Sequence, residues 1–332
     1  MITGPVYETF TDAYLAVLGE IHQRPHHSTV TRGKTAIEIP NVSFTIRNPI
    51  ARTPYLAGRR ANIVFNHAEA LWYLSGRDDL DMIAHYAPRL RGVSEDGKTL
   101  TGTAYGPPLF APTEPDGCSQ FDRVLTLLRT DPDAKRAAMP IMRPDELIDP
   151  ANPDVSCTLG LQFMLRAGRL HLTAYMRGND AVIGLYGDTF AFTFIQEFAA
   201  RLLGVDVGSY AHHVGSMHIN ILDIPKVERL LADQTRRVFP HQTMPSDANW
   251  ADLRTVLEWE ERLRLNQATF TADAVALDPY WIEVIWLFEV HRQLTRHPDR
   301  PVTAEALAQL RPGHWWQIAQ RWPERIPAGV EP

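Results

Sequence analysis

Cysteine is nearly absent from this chain: of 332 residues only Cys118 and Cys157 carry a thiol. Two thiols cannot build a disulfide framework or a zinc cluster by themselves, so each is judged as a lone thiol. The histidines do not fill the gap. His26-His27 and His212-His213 are adjacent pairs whose side chains diverge on a strand or a helix, and none has a partner at metal-ligand spacing, so no metal site is expected. Long apolar runs are missing too: none approaches the roughly 20 residues that span a bilayer. The start, Met1-Ile2-Thr3-Gly4-Pro5, lacks a basic stretch followed by an apolar one. Together these features predict a cytoplasmic protein without a membrane partner. An excess of positive charge is also lacking. With 33 basic against 39 acidic residues the net charge is -6, weak and of the wrong sign for gripping a nucleic-acid polymer. Any nucleic-acid connection is therefore sought among mononucleotides. No repeat, low-complexity tract or strongly polar linker appears.

What is present is enough apolar material for a large core, 45% of residues. Tyr7, Phe10, Tyr14, Val17, Leu18 and Ile21 recur at steps of three and four, which predicts an N-terminal amphipathic helix. Residues 36 to 46 alternate as a strand, and residues 63 to 75 return to helical spacing before Gly76. Leu159 to Met176 holds two apolar runs split by Arg166-Ala167-Gly168-Arg169, the pattern of a hairpin. Thr189 to Leu203 is almost wholly apolar and predicts a buried helix ending at Gly204. Beyond about residue 236 the chain turns to Trp-rich helical stretches, Tyr280 to Leu294 and Ala304 to Trp322. The division read from this is a catalytic part over 1–235 and a helical extension over 236–332 packed on it.

Cys157 precedes an apolar strand in Pro153-Asp154-Val155-Ser156-Cys157-Thr158, and Arg177 follows twenty residues later in Tyr175-Met176-Arg177-Gly178-Asn179-Asp180. An arginine brought back by the hairpin would favour the reactive thiolate. Most lone cysteines are small core residues, so the surroundings must raise Cys157 above that default. Cys118, beside Asp116-Gly117, reads as a loop spectator. Trp315-Trp316 reads as packing.

Six motifs in order do raise it: Glu69-Ala70-Leu71-Trp72-Tyr73-Leu74-Ser75-Gly76, Gly102-Thr103-Ala104-Tyr105-Gly106, Asp131 to Arg136, the Cys157 segment, Arg177 to Asp188, and Gly215-Ser216-Met217-His218. On these the chain resembles the thymidylate synthase family over roughly residues 57 to 235. The resemblance implies an α/β (α+β) fold, a twisted mixed sheet with packed helices whose face forms a homodimer interface. It makes Cys157 the nucleophile on carbon 6 of a pyrimidine, so that carbon 5 attacks 5,10-methylenetetrahydrofolate, the cosubstrate. Glu69 matches the water-organising glutamate and Tyr105 the tyrosine of carbon-5 proton removal. Taken alone, Glu69 would be a solvated helix residue, yet its helix is otherwise apolar. Arg177 matches a phosphate arginine, Arg32 a further one, and Lys135 and Arg136 the pair that reaches the partner subunit's phosphate. Without the resemblance Lys135 and Arg136 are an ordinary charged turn. Asp180, Arg59 and Arg60 match the folate side, and His218 the sugar side.

The departures narrow the reading. The asparagine that reads the uracil edge in that family falls on Asp188. An amide donates and accepts, matching uracil; a carboxylate accepts and suits the exocyclic amine of cytosine. A mispaired site can reject an analogue by about 10⁴ to 10⁵. The tyrosine expected after His218 is Asn220, the serine after Arg177 is Gly178, and the histidine after the nucleophile is Thr158. Smaller groups at the sugar would admit a ribose. These exchanges resemble the cytidylate hydroxymethylase branch, in which water instead of hydride ends the reaction, and imply hydroxymethylation of CMP, as in nucleoside-antibiotic biosynthesis. The alternatives are dCMP hydroxymethylation, a thymidylate synthase acting on dUMP, and a nucleotide-binding protein without catalysis. Pro332 does not recreate the family's apolar terminus.

Overall fold

The computed structural model describes residues 4–233 and 236–329; Pro332 lies outside the described residues. Among these residues, eight strands form one open mixed sheet. Its order runs Val6–Tyr7, Lys34–Ile46, Asp206–Asn220, Arg169–Met176, Thr158–Arg166, Ala138–Pro140, with His27–Thr31 and Asn179–Asp180 pairing at the flanks. The centre pairs Arg169–Met176 with Asp206–Asn220 in parallel, while Lys34–Ile46 and Thr158–Arg166 run antiparallel to their inner neighbours.

The predicted hairpin, Thr158–Arg166 with Arg169–Met176, is flanked by Cys157 and Arg177. Ala167 and Gly168 both take positive φ, 48° and 72°, the backbone of the tight turn whose twist matches right-handed strands. That turn puts Arg177 back beside Cys157, with the Arg177 N–H donating to the Cys157 carbonyl at 2.9 Å.

The apolar helix is longer than its pattern. It spans Gly184–Leu203 and ends on Gly204 at φ 68°. Two glycines, Gly184 and Gly187, interrupt the apolar spacing of its first turn, which is why the sequence showed only Thr189 onward. Phe190, Phe192, Phe194, Ile195 and Phe198 on it are buried between the sheet and the helix Ile63–Leu74. The N-terminal helix is shorter than predicted, Phe10–Gln23, because Thr9 and Asp12 form a capping box that fixes its start. Tyr7 instead lies in a strand paired with Lys34–Ile46.

Beyond residue 236 the structure is helical, as predicted. Trp250–Arg264 packs against Pro279–Arg296, and the stretch from Ala304 to Trp322 is two helices, Ala304–Ala308 and Pro312–Arg321, because the Arg311-Pro312 step starts a new first turn. One buried polar joint docks these helices on the rest and another ties them to each other. Glu260, fully buried, accepts from Tyr86 Oη at 2.7 Å and from Arg264 Nε at 2.8 Å. Glu283 accepts from the Arg311 backbone N–H at 2.8 Å and pairs with Arg311 Nε and with His314 Nδ1, the last also at 2.8 Å. Burial works to raise the Glu283 pKa, but His314 and Arg311 outweigh it and hold it at about 2. Deleting one member of such a buried set leaves the other uncompensated. Glu260→Ala should therefore lose roughly 3 kcal/mol of unfolding free energy in a urea titration at pH 7, whereas a loss under about 0.5 kcal/mol, typical of an ordinary surface site, would show that the joint is not holding the extension.

Candidate active site

Cys157 closes a loop that is held from three sides. The buried Asp154 carboxylate accepts the backbone N–H groups of Thr101, Gly102 and Thr103 at 2.7, 3.0 and 2.7 Å and the Thr103 hydroxyl at 2.5 Å. Glu146 accepts the Ser156 N–H at 2.7 Å. Gly102 is needed at the crossing, since a Cβ there would stand 2.1 Å from the Asp154 carbonyl oxygen. The third hold is cationic. Arg177 donates from Nε to the Ser156 carbonyl at 2.8 Å and from Nη2 to the Val155 carbonyl at 2.9 Å, with Nη2 3.8 Å from Cys157 Sγ. Arg32 donates to the Asn152 and Pro153 carbonyls at 2.8 and 2.7 Å.

The two arginines predicted for a phosphate thus converge on the nucleophile loop. Their effect on the thiol differs from the expectation, however. Burial pushes the Cys157 pKa up, Arg177 and Arg32 oppose the rise, and Asp188 and Asp154 add to it, so the net shift is upward and the resting group is the thiol.

Facing the thiol is a wall of phenols and carboxyls. Tyr105 is buried, stacked on Tyr73 at 5.0 Å and on Phe192 at 5.9 Å between centroids. Burial raises its pKa, and the charges of Asp188 and Cys157 raise it further. Glu69, on the helix Ile63–Leu74, lies against Gly187, where a Cβ would meet its Oε2 at 3.1 Å. Burial lifts the Glu69 carboxyl to about 7 against the pull of Arg89. Asp188, just past the first turn of Gly184–Leu203, is raised well above the usual carboxylate range by burial and then by Glu69, with the nearby Asn179 amide opposing. Among the described residues neither Glu69 nor Asp188 has a cation within ion-pair distance. Such a pair binds protons more readily than free carboxyls do and is suited to passing them.

Asp180 is fixed at the entry to the same helix, where Oδ1 accepts from the Val182 and Ile183 N–H groups, both at 2.8 Å. Its Oδ2 accepts from Asn220 at 2.6 Å. The Asn220 amide reaches this aspartate because both sit where the strand Asn179–Asp180 pairs with the end of Asp206–Asn220. His218 lies beside Asp180 in that pairing, partly buried. At Gly178 an added Cβ would meet only the Ser216 carbonyl oxygen, at 3.6 Å, which leaves the room that its sequence implied.

Beyond Glu69 opens a cavity of about 430 Å³. Arg59, Arg60, Arg89, Lys226, Arg229 and Arg321 line it, and no lining residue is acidic. Arg59 places its guanidinium 4.7 Å from the Tyr186 ring centre. Burial, then Arg59, lowers Lys226 to about 8. The sequence pointed to Arg59 and Arg60 but not to the other four, since Arg321 comes from the extension and Arg89, Lys226 and Arg229 sit in unremarkable polar turns and helix faces. Asp154 was legible only as part of the Cys157 segment. Lys135 and Arg136 are exposed at the opposite edge of the sheet, near Gln162, five residues along the strand from Cys157, or about 16 Å at strand rise. They do not reach this chain's own nucleophile.

Comparison with known proteins fits this geometry. The thymidylate synthase family model matches residues 12–260. The chain belongs to the thymidylate synthase family. Members of that family use methylenetetrahydrofolate as cosubstrate. Relatives include a deoxyuridylate hydroxymethyltransferase of Bacillus phage SP01, 36% identical over 58% of this chain and 52% of the relative. Another of the same description, from Pseudomonas phage M6, is 28% identical over 87% of this chain and 85% of its own. Against the phage SP01 protein the chain spans about half the relative's length. The fold matches thermostable thymidylate synthase A from Bacillus subtilis, with a TM-score of 0.58 at 21% identity over 70% of this chain and 87% of that one.

For this family member the Glu69 shift has a stability consequence. Its folded pKa lies above the unfolded one, so the folded state binds the proton more tightly, and stability falls as pH rises from about 4.5 to about 7. Glu69→Gln should gain up to about 3 kcal/mol at pH 8 and almost nothing at pH 4, read by urea titration, while losing turnover; equal stability at both pH values would contradict the buried, proton-holding carboxyl.

Proposed function

We propose that the enzyme hydroxymethylates carbon 5 of a cytidine monophosphate, CMP with dCMP as the nearest alternative, using methylenetetrahydrofolate and water and releasing tetrahydrofolate. The observation that carries this reading is Asp188, a carboxyl in a desolvated wall across from the nucleophile with no cation paired to it.

A carboxyl that holds its proton can donate to ring nitrogen 3 of cytosine while its other oxygen accepts from the exocyclic amine. The ring nitrogen is basic enough to draw that proton across, leaving a bidentate carboxylate-to-cation pair, stronger than a neutral pair in a site shielded from water. Protonation at nitrogen 3 also makes carbon 6 electrophilic. Loss of the Cys157 proton then gives a thiolate that forms the sulfur-carbon 6 bond, and the displaced electron pair makes carbon 5 nucleophilic. Carbon 5 bonds to the one-carbon unit of the folate. Proton loss from carbon 5 beside Tyr105 and cleavage of the carbon-nitrogen bond release tetrahydrofolate and leave an exocyclic methylene on the ring. Water ordered by Glu69 adds to that methylene, and expulsion of the Cys157 thiolate restores the aromatic ring. The sum is CMP, methylenetetrahydrofolate and water going to 5-hydroxymethyl-CMP and tetrahydrofolate, with nothing left to oxidise or reduce.

The remaining residues take supporting parts. Arg177 and Arg32 hold the nucleotide phosphate, joined in a homodimer by Lys135 and Arg136 of the opposite subunit. The sheet face carrying Leu159 and Tyr175, 45% and 40% exposed, supplies that contact. His218 holds the sugar, and the open space at Gly178 admits its 2′-hydroxyl. The six-cation cavity suits the glutamate carboxylates of folate, and the edge of Asp180 suits its pterin.

The relatives' names support water as the final acceptor and point to a second reading, hydroxymethylation of dUMP. A protonated Asp188 can pair with uracil as well, but without the proton transfer that makes the ion pair. Two results decide. Tritium at carbon 5 of CMP or dCMP should exchange with water in the presence of the folate, and Cys157→Ala should abolish the release; no release from either would remove the cytidine reading. Asp188→Asn should shift the cytidine-to-uridine ratio of kcat/KM toward uridine by at least about a hundredfold, and an unchanged ratio would remove Asp188 from base reading.

A further inference from the structure

The helix Pro312–Arg321 lies past residue 260, where the family match ends, yet its last residue lines the cavity beyond Glu69. The helix packs against Ile63–Leu74. Two hydrogen bonds fix it there. Arg321 Nη1 donates to the Arg60 carbonyl at 2.8 Å, and Gln317 Nε2 donates to Tyr186 Oη at 3.4 Å. Gln317 and Tyr186 are each 2% exposed, so water does not compete for the second bond. A residue from outside the family match thus stands in one wall with Arg59, Arg60 and Tyr186.

That wall suits an anion. The cavity is lined by six cations and no carboxylate, in a chain whose net charge is -6. The nearby carboxyls Glu69, Asp180, Asp223 and Asp233 are not among its lining residues. Like charges gathered so closely repel one another, and an anion between them relieves the repulsion. Two buried donors of the same wall, Arg59 Nε and Asn66 Nδ2, have no hydrogen-bond partner among the described residues. An unmet buried donor costs stability that an acceptor group restores. Arg321 is placed to share in this. It is exposed at the end of its helix, and a guanidinium carries five N–H groups, of which the bond to Arg60 occupies one. It can therefore take a carboxylate without leaving the wall.

We propose that the helical extension completes the cosubstrate site: Arg321 binds a carboxylate of the glutamate end of folate and, by sharing it with Arg59 and Arg60, ties the helix Pro312–Arg321 to the catalytic part. The proposal rests on the reading that the six-cation cavity takes that end of the folate, and it is independent of which pyrimidine is the substrate. Its consequence is linkage. A ligand that bridges the two parts favours the docked extension, and the docked extension tightens the ligand by the same factor.

The test uses the full chain with CMP and, separately, dUMP present. Calorimetry compares tetrahydrofolate with tetrahydropteroate, which ends at the benzoate and lacks the glutamate. The wild type should prefer tetrahydrofolate by about a hundredfold, as a few charge-assisted hydrogen bonds to its carboxylates would give. In Arg321→Gln, an exchange at an exposed helix end that leaves the fold standing, the preference should fall by about tenfold while tetrahydropteroate binds as before. Arg321→Lys, which keeps the charge, should retain most of the preference. Hydrogen exchange supplies a second readout. Saturating tetrahydrofolate should slow exchange across 312–321 at least about tenfold in the wild type and not in Arg321→Gln, and tetrahydropteroate should slow it in neither. A wild type without preference between the two ligands would remove the cavity reading and this proposal with it. A preference that survives Arg321→Gln in full would overturn the proposal alone, as would a variant that weakens both ligands equally, the mark of a residue that only props the Arg60 carbonyl.

Discussion

The site is organised around two half-buried carboxyl groups, Glu69 and Asp188, with no cation within ion-pair distance of either among the described residues. Glu69 disfavours the ionisation of Asp188, and desolvation is the largest influence on both. The protein contains well-matched buried pairs elsewhere, Arg52 with Glu197 and Arg292 with Glu289, so the lack of a partner here is local. That one constraint links Asp188, Glu69 and the phenol of Tyr105, whose own ionisation is pushed up by Asp188.

The cations are placed elsewhere, and the separation organises the reaction space. Arg177 and Arg32 sit beside Cys157, where they hold the Asn152, Pro153, Val155 and Ser156 carbonyls of the loop while the thiol's pKa stays raised. Six more cations gather in the cavity past Glu69. Between the two basic regions the wall is acidic or phenolic, a charge order suited to an anion at each end and a proton-exchanging ring in the middle.

Much of this was legible in the sequence because local rules coincided with tertiary need. The hairpin could be read from Ala167-Gly168 and the cap from Gly204, and the motifs around Glu69, Tyr105, Cys157, Arg177 and Asp188 marked the part of the chain that the fold gathers around the thiol. What failed did so for identifiable reasons. The first turn of Gly184–Leu203 carries two glycines and hides a helix start, and Thr9 with Asp12 moves the first helix past Tyr7. The direction of the Cys157 shift could not be had from an arginine twenty residues away, since desolvation depends on everything around the thiol. Arg321 had no local signal, because it reaches the cavity only through the docking of Pro312–Arg321, whose Nη1 donation to the Arg60 carbonyl at 2.8 Å closes the rim. Gln317 on the same helix donates to Tyr186 Oη at 3.4 Å, so the extension forms part of the wall and is more than a decoration.

The central claim is that Asp188 selects cytosine and that water ends the reaction. One incubation of the purified protein with methylenetetrahydrofolate and equimolar CMP, dCMP and dUMP, with products identified by mass, tests both at once. The account predicts a 5-hydroxymethyl cytidine nucleotide and tetrahydrofolate. A methylated uridine nucleotide with dihydrofolate would contradict it on base and on chemistry together.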